Sequence, residues 1–135
     1  MCIRDRCLFY PAQKYSIQYN ENEETHNAFI VSWANASQFG NGAEISPNAK
    51  VDDGLIDICI VKSLPRYKIP ILLYRLFSGS IHKSKYVKII KTKEAEIQCH
   101  DGRSHLDGEP VDLGQKIIIK NHFKKLKVFV PNEEK

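Results

Sequence analysis

No stretch of this 135-residue chain approaches the roughly 18 consecutive apolar residues that a membrane-crossing helix needs. The most lipid-like piece, Ile69 to Phe77, is short and is interrupted by Pro70 and Arg75. The start lacks an apolar core followed by a small-residue cleavage site, so no secretory leader is expected and the expected location is cytoplasmic. Cysteine is sparse: Cys2, Cys7, Cys59 and Cys99 form no C-x-x-C pair, and the five histidines do not fall at ligand spacing with them. Reduced thiols are therefore expected, in place of a disulfide framework or a zinc site. Internal repeats, low-complexity blocks and a P-loop are also missing.

What is there suits one compact domain. Hydrophobic residues make up 42% and charged residues 27%, a globular balance, and 135 residues are enough for one core and too few for two ordinary ones. Net charge is only +4, but the excess is concentrated in His82 to Lys93 and again in His122 to Lys127. A basic face of this kind suits anionic headgroups, a nucleotide or nucleic acid, or is simply a solvated strand face.

Periodicity is mostly that of strands. Tyr15 to Tyr19 alternates apolar and polar, Ala28 to Ala34 is β-branched and aromatic, and Leu55 to Val61 places Ile56, Ile58 and Ile60 on one face and Asp57 and Cys59 on the other. Tyr86 to Ile90, Ala95 to Cys99, Lys116 to Lys120 and Leu126 to Val130 continue the series. Asn20 to Asn27 reads as a turn, Asn35 to Val51 as a long aperiodic loop, and Asp101-Gly102 as a hairpin. One helix is expected: Ile69, Leu72, Leu73, Leu76 and Phe77 share a face, Pro70 suits a first turn and Gly79 a stop. Its expected role is to pack on the core, with a membrane-surface helix as the alternative, since its polar face is little more than Arg75. The sum is mainly β: a β-sandwich of about eight or more short antiparallel strands with one amphipathic helix. Met1 to Arg6 has no periodicity, so residues 1–10 read as a non-native or truncated leader and residues 11–135 as the domain.

Two carboxylate-glycine turns carry the chemistry. In Asp107-Gly108-Glu109 the glycine permits a tight turn that lets two carboxylates serve one site, as phosphoryl transfer to a hydroxyl requires. In Asp52-Asp53-Gly54 one carboxylate oxygen plus turn carbonyls suit a hard cation such as Mg²⁺. Each also occurs as an ordinary turn. Gly40-Asn41-Gly42 permits close backbone approach to a ligand, a weak signal alone.

Taken in order, Asn35 to Gly42, Ile45 to Ala49, Asp52 to Asp57, Leu106 to Pro110 and Val128 to Pro131 form a more specific series. It resembles the C-terminal domain of the bacterial diacylglycerol kinase-like lipid kinases, relatives of the sphingosine kinases, from about Lys14 to Pro131. The resemblance implies a β-rich sandwich packed against a smaller nucleotide-binding domain, with the active site between them. It implies Asp107 as the catalytic aspartate and Glu109 as the second acidic residue of that motif. It implies a structural Mg²⁺ held by the Asp53 side chain and by the backbone carbonyls of Lys50 and Leu55. ATP is the implied co-substrate, and a diacylglycerol-like lipid the implied acceptor. The family's glycine-rich G-G-D-G-T phosphate loop has no counterpart here. The chain is therefore expected to be the C-terminal half of such a kinase, inactive without the N-terminal nucleotide-binding domain. Transient contact with the inner, anionic membrane face is expected, homodimer formation is a possibility, and nucleic acid is not an expected partner. The alternatives are a non-catalytic anionic-lipid-binding β-sandwich and a soluble-acceptor kinase distantly related to NAD kinases.

Overall fold

The computed structural model describes residues 12–40, 42–100, 102–106, 109–123 and 125. Among the described residues ten strands run in chain order: β1 (Gln13–Tyr19), β2 (Asn22–Ala34), β3 (Gln38–Gly40), β4 (Ala43–Glu44), β5 (Ile56–Lys62), β6 (Val87–Thr92), β7 (Glu94–Cys99), β8 (Arg103–Leu106), β9 (Glu109–Asp112) and β10 (Lys116–Lys120). Between β5 and β6 lie a 3₁₀ turn (Arg66–Lys68), the helix α1 (Ile69–Phe77) and a second 3₁₀ turn (Ile81–Lys83). The mainly β, antiparallel expectation holds.

Six strands form the main sheet in the order β10-β7-β1-β2-β5-β6, and β3-β4 and β8-β9 are separate two-stranded sheets. β6 and β7 stand at opposite sides of that order, yet only Lys93 separates them in sequence. The sheet must therefore curl until its edges approach. Asn121, just beyond β10, donates from Nδ2 to the Leu55 carbonyl at the mouth of β5 (3.3 Å), a bond that a flat sheet would not allow. The concave face is filled by Ile17, Ala28, Ile58, Ile60, Ile90, Ala95 and Ile97, with Tyr15, Tyr19, Val31, Trp33, Ile117 and Ile119 packed around them. A second cluster, Ile45, Cys59 and Val61, lies under Leu64, Leu72, Leu76 and Ile89. β5 thus contributes apolar residues to both clusters, Ile58 and Ile60 to one and Cys59 and Val61 to the other, and burying them favours folding.

Three expectations change. The Asn20–Asn27 turn contracts to Asn20-Glu21, both at positive φ (43° and 67°), and β2 starts at Asn22. This is the two-residue turn geometry that matches strand twist, and the polar residues after it find partners across the sheet. The Asn35–Val51 loop contains the small β3-β4 hairpin. The hairpin expected at Asp101-Gly102 is not seen in the pairing of the flanking strands, since β7 pairs with β1 and β10 and β8 with β9; Asp101 itself lies outside the described residues. Gly102 is instead an anchor. A Cβ there would stand 2.5 Å from the Gly114 carbonyl oxygen, and the Gly102 carbonyl accepts from Leu113 N (3.0 Å). The expected strand Leu126–Val130 lies outside the described residues.

α1 is bounded as expected, with Pro70 in the first turn and Gly79 at φ 64° past the end. Its packing differs. Leu72 and Leu76 meet the sheet, but no residue of α1 is buried. No helix among the described residues is long and apolar enough to cross a membrane.

Candidate functional site

The loop from β4 to β5 is held by a charge inside the core. Asp57, second in β5, is only 2% exposed. Its Oδ2 accepts a short hydrogen bond from Ser46 Oγ, itself fully buried. Its Oδ1 lies 3.4 Å from Lys91 Nζ on neighbouring β6, and the same ammonium donates to the Asn48 carbonyl (2.8 Å). One carboxylate and one lysine therefore tie Ser46, Asn48 and β6 together. A buried carboxylate survives only with such partners, and charge-assisted bonds are stronger than neutral ones. Next door, burial and then the Asp57 charge push the Cys59 thiol up to about 12. Cys59 stays a protonated, apolar-packed thiol, and Cys99 is also buried.

This brace sets the turn Lys50 to Leu55. Asp53 Oδ1 accepts from Leu55 N (2.9 Å), which closes the turn. Gly54 sits at φ 73°, and a Cβ on it would come within 2.9 Å of the Phe123 ring. Glycine is required there on both counts. Lys50 and Asp53 are exposed and Leu55 is half-buried. The donor set implied for a metal, one carboxylate and two carbonyls, is all oxygen and fits a hard cation such as Mg²⁺. Among the described residues no group of three or more His, Cys, Asp or Glu side chains gathers to hold a metal, so carbonyls would carry much of any such site. The Leu55 carbonyl already accepts from Asn121 Nδ2, at the long distance of 3.3 Å. An ion would have to share or displace that bond.

The second acidic turn stands on the β8-β9 hairpin. Leu106 pairs with Glu109, and His105 with Pro110. Glu109 is exposed at the start of β9, and Asp107 lies outside the described residues. Past the hairpin, Gly114 N donates to Asp112 Oδ1 (2.9 Å) in a local turn, and Cys99 N at the end of β7 donates to the Gln115 carbonyl (2.9 Å). Among the described residues no hydrogen bond or ion pair runs from this hairpin to the Lys50–Leu55 turn.

The basic run His82–Lys93 is not one face. Lys88 turns inward to Glu24 on β2 and Lys91 to Asp57, while Lys83 and Lys85 line a groove beside α1. Half of the second basic run, Lys124, Leu126 and Lys127, lies outside the described residues. Glu24 collects Lys88 Nζ, Tyr19 Oη and, at 2.8 Å, His26 Nε2. Hydrogen bonds from Lys88 and Tyr19 hold its carboxyl near 2, well below the ordinary 4.5. The Asp57 and Glu24 clusters carry no assigned role in the sequence reading. Asp57 did have a signal, a lone charge inside an otherwise apolar strand. Glu24 and His26 had only alternation within a polar stretch.

A curled, mainly antiparallel, sandwich-like domain carrying two carboxylate-glycine turns defines the class. The family described as "YegS C-terminal NAD kinase beta sandwich-like domain" matches residues 4–118, and the chain belongs to it. A Shewanella frigidimarina protein named "Probable lipid kinase YegS-like" is 35% identical over 99 residues, covering 71% of this chain and 32% of that protein. Mycobacterium tuberculosis diacylglycerol kinase is 29% identical over 80 residues, covering 59% of this chain and 26% of that enzyme. The chain thus spans about a third or less of these relatives' length. The crystal structure of a diacylglycerol kinase from Bacillus anthracis str. Sterne superposes with a TM-score of 0.61 at 21% identity, over 90% of this chain and 44% of that one. At that identity the superposition establishes the shared fold.

Proposed function

We propose that this chain is the acceptor-side domain of an ATP-dependent lipid kinase that phosphorylates the hydroxyl of diacylglycerol or a similar long-chain lipid. The family match over residues 4–118 carries the reading, and the two acidic turns support it. In the proposed reaction the lipid oxygen attacks the γ-phosphorus in line, the bond to the β–γ bridging oxygen breaks, and ADP leaves. Asp107 accepts the hydroxyl proton, and Glu109, two residues on, keeps the acidic site polar and hydrated. Such a base works by positioning as much as by basicity, because phosphoryl transfer asks mainly for alignment and charge stabilisation. Lys50, Asp53 and Leu55 would hold a structural Mg²⁺, which when bound would supply positive charge at that turn. The Asp57–Lys91 brace fixes the loop that offers those oxygens. The nucleotide would be held by a partner domain that carries the glycine-rich phosphate loop absent here.

The test is labelled-phosphate transfer from ATP to diacylglycerol, with this chain joined to the nucleotide-binding half of a relative and Asp107→Asn as control. Transfer that falls at least about a hundredfold in the control supports general-base catalysis by Asp107. A folded, ATP-binding protein that phosphorylates only a soluble alcohol, or nothing, refutes the lipid-kinase reading.

A further inference from the structure

The helix α1 has its polarity in an unusual place. Leu72 and Leu76 face the sheet. A water-facing helix surface is normally polar, yet the outward positions Pro70, Ile71, Leu73, Tyr74 and Phe77 carry no charge. Tyr74 is 74% exposed, Phe77 60% and Ile71 57%, and Tyr67 in the preceding 3₁₀ turn is as open as Tyr74. A contiguous exposed apolar strip of this kind marks an interaction surface. Beside it runs an open groove of about 380 Å³ whose lining includes Lys68, Arg75, Lys83 and Lys85 and no acidic residue. Tyr86 forms part of the wall, with Lys68 and Lys85 each 5.3 Å from its ring centre. These cations lower the Tyr86 pKa, Lys68 foremost.

We infer that α1 and this groove form a docking surface for an anionic phospholipid bilayer, with the apolar strip at the acyl boundary and the groove cations on headgroup phosphates. Charge complementarity selects the occupant. Four cations with no ion pair among the described residues suit a surface dense in phosphate, and aromatic residues next to basic ones are the composition of interfacial helices. Lysine stems spread over apolar surface while their ammonium groups reach phosphate. The inference deepens the lipid-kinase reading, on which the choice of a lipid partner rests, by naming the surface that brings the domain to its acceptor.

Vesicle sedimentation with the full chain tests it without any phosphoryl transfer, so its failure is separable from failure of the kinase reading. The vesicles are phosphatidylcholine alone and phosphatidylcholine with phosphatidylglycerol. Binding is expected to the anionic vesicles, to weaken about tenfold or more in Lys83→Gln/Lys85→Gln, and to weaken again at about 0.5 M salt. Tyr74→Ser/Phe77→Ser, which alters only outward residues, is expected to lose binding while keeping the wild-type circular dichroism and urea midpoint. Equal binding to both vesicle types, or binding unchanged in both variants, overturns the inference. So does a dimer in sedimentation velocity that the Tyr74/Phe77 variant abolishes without any vesicle binding, since the strip would then belong to a second copy of the chain.

Discussion

β5 and α1 are neighbours in sequence and similarly apolar, but the fold uses them in opposite ways. Every residue from Ile56 to Val61 is buried, Asp57 included. No residue from Ile69 to Phe77 is. A strand flanked on both sides in a curled sheet, as β5 is by β2 and β6, has two covered faces, one filled by the concave core and one by α1 and the β4-β5 loop. A single helix laid on the outside of that sheet can cover only one of its own. Hydrophobicity alone therefore does not distinguish core from exposed surface; the number of covered faces does. The polar residues follow the same division. In β5 a charge is tolerated because Ser46 and Lys91 meet it, and in α1 the one charge, Arg75, opens onto a groove.

The most severe way to break this comparison is to remove the charge from the buried strand. Asp57→Ala would leave Ser46 and the Lys91 ammonium without their acceptor beneath the β4-β5 loop. Lys91 is 38% exposed and keeps its bond to the Asn48 carbonyl, so the main cost is the buried Ser46 hydroxyl left unsatisfied, about 1–3 kcal/mol, which urea or thermal unfolding would measure. Because the same contacts order Ser46 and Asn48, the β4-β5 loop is expected to lose amide-exchange protection before the concave core does. A loss below about 1 kcal/mol would show that Asp57 is not the brace that the geometry describes.

The strand architecture was legible because period-two alternation and β-branched runs survive in sequence. β1, β5, β7 and β10 fall within a few residues of where the pattern puts them, and Lys116–Lys120 coincides with β10. The curl was not legible, since it depends on pairing between distant strands. Its consequence, the inward turn of Lys88 and Lys91, was hidden for the same reason: a run of lysines looks like one basic face until register assigns alternate residues to opposite sides. The two-residue turn at Asn20-Glu21 was masked by the polar residues after it. Within the candidate site, the Asp53 turn and its Gly54 could be read from the tripeptide, whereas the Asn121 bond to the Leu55 carbonyl joins residues 66 positions apart and leaves no local trace. Asp107 lies outside the described residues, so its role rests on motif and family.

A milder perturbation tests the polar group on the concave face. Glu24 titrates near 2 in the folded chain against an ordinary 4.5. Its folded value is depressed, so its contribution to stability is complete above pH 4.5 and fades as the pH falls toward 2. Glu24→Gln should therefore be less stable than wild type at pH 6. The difference should close progressively in acid, as followed by urea midpoints at several pH values. Lys88 and Glu24 are about one-third exposed, and solvent screening limits the gap at neutral pH to about 1 kcal/mol. A gap that persists unchanged at pH 2 would mean that Gln disturbs packing and not charge.

The smallest effect sharpens the comparison most. Leu72 and Leu73 are adjacent, but the first packs against the Cys59–Val61 side of β5 and the second is 49% exposed. Leu73→Ser should change the unfolding free energy by no more than about 0.5 kcal/mol, as surface substitutions do, whereas Leu72→Ser loses apolar contact and should cost about 1–3 kcal/mol. Calorimetry or urea titration of the two variants side by side measures the difference. If Leu73→Ser proved as costly as Leu72→Ser, the outer face of α1 would be covered in the folded chain, and the contrast with β5 would disappear. If the two separate as expected, the apolar residues on the outer face of α1 add little to folding, which leaves contact outside the domain as their physical use.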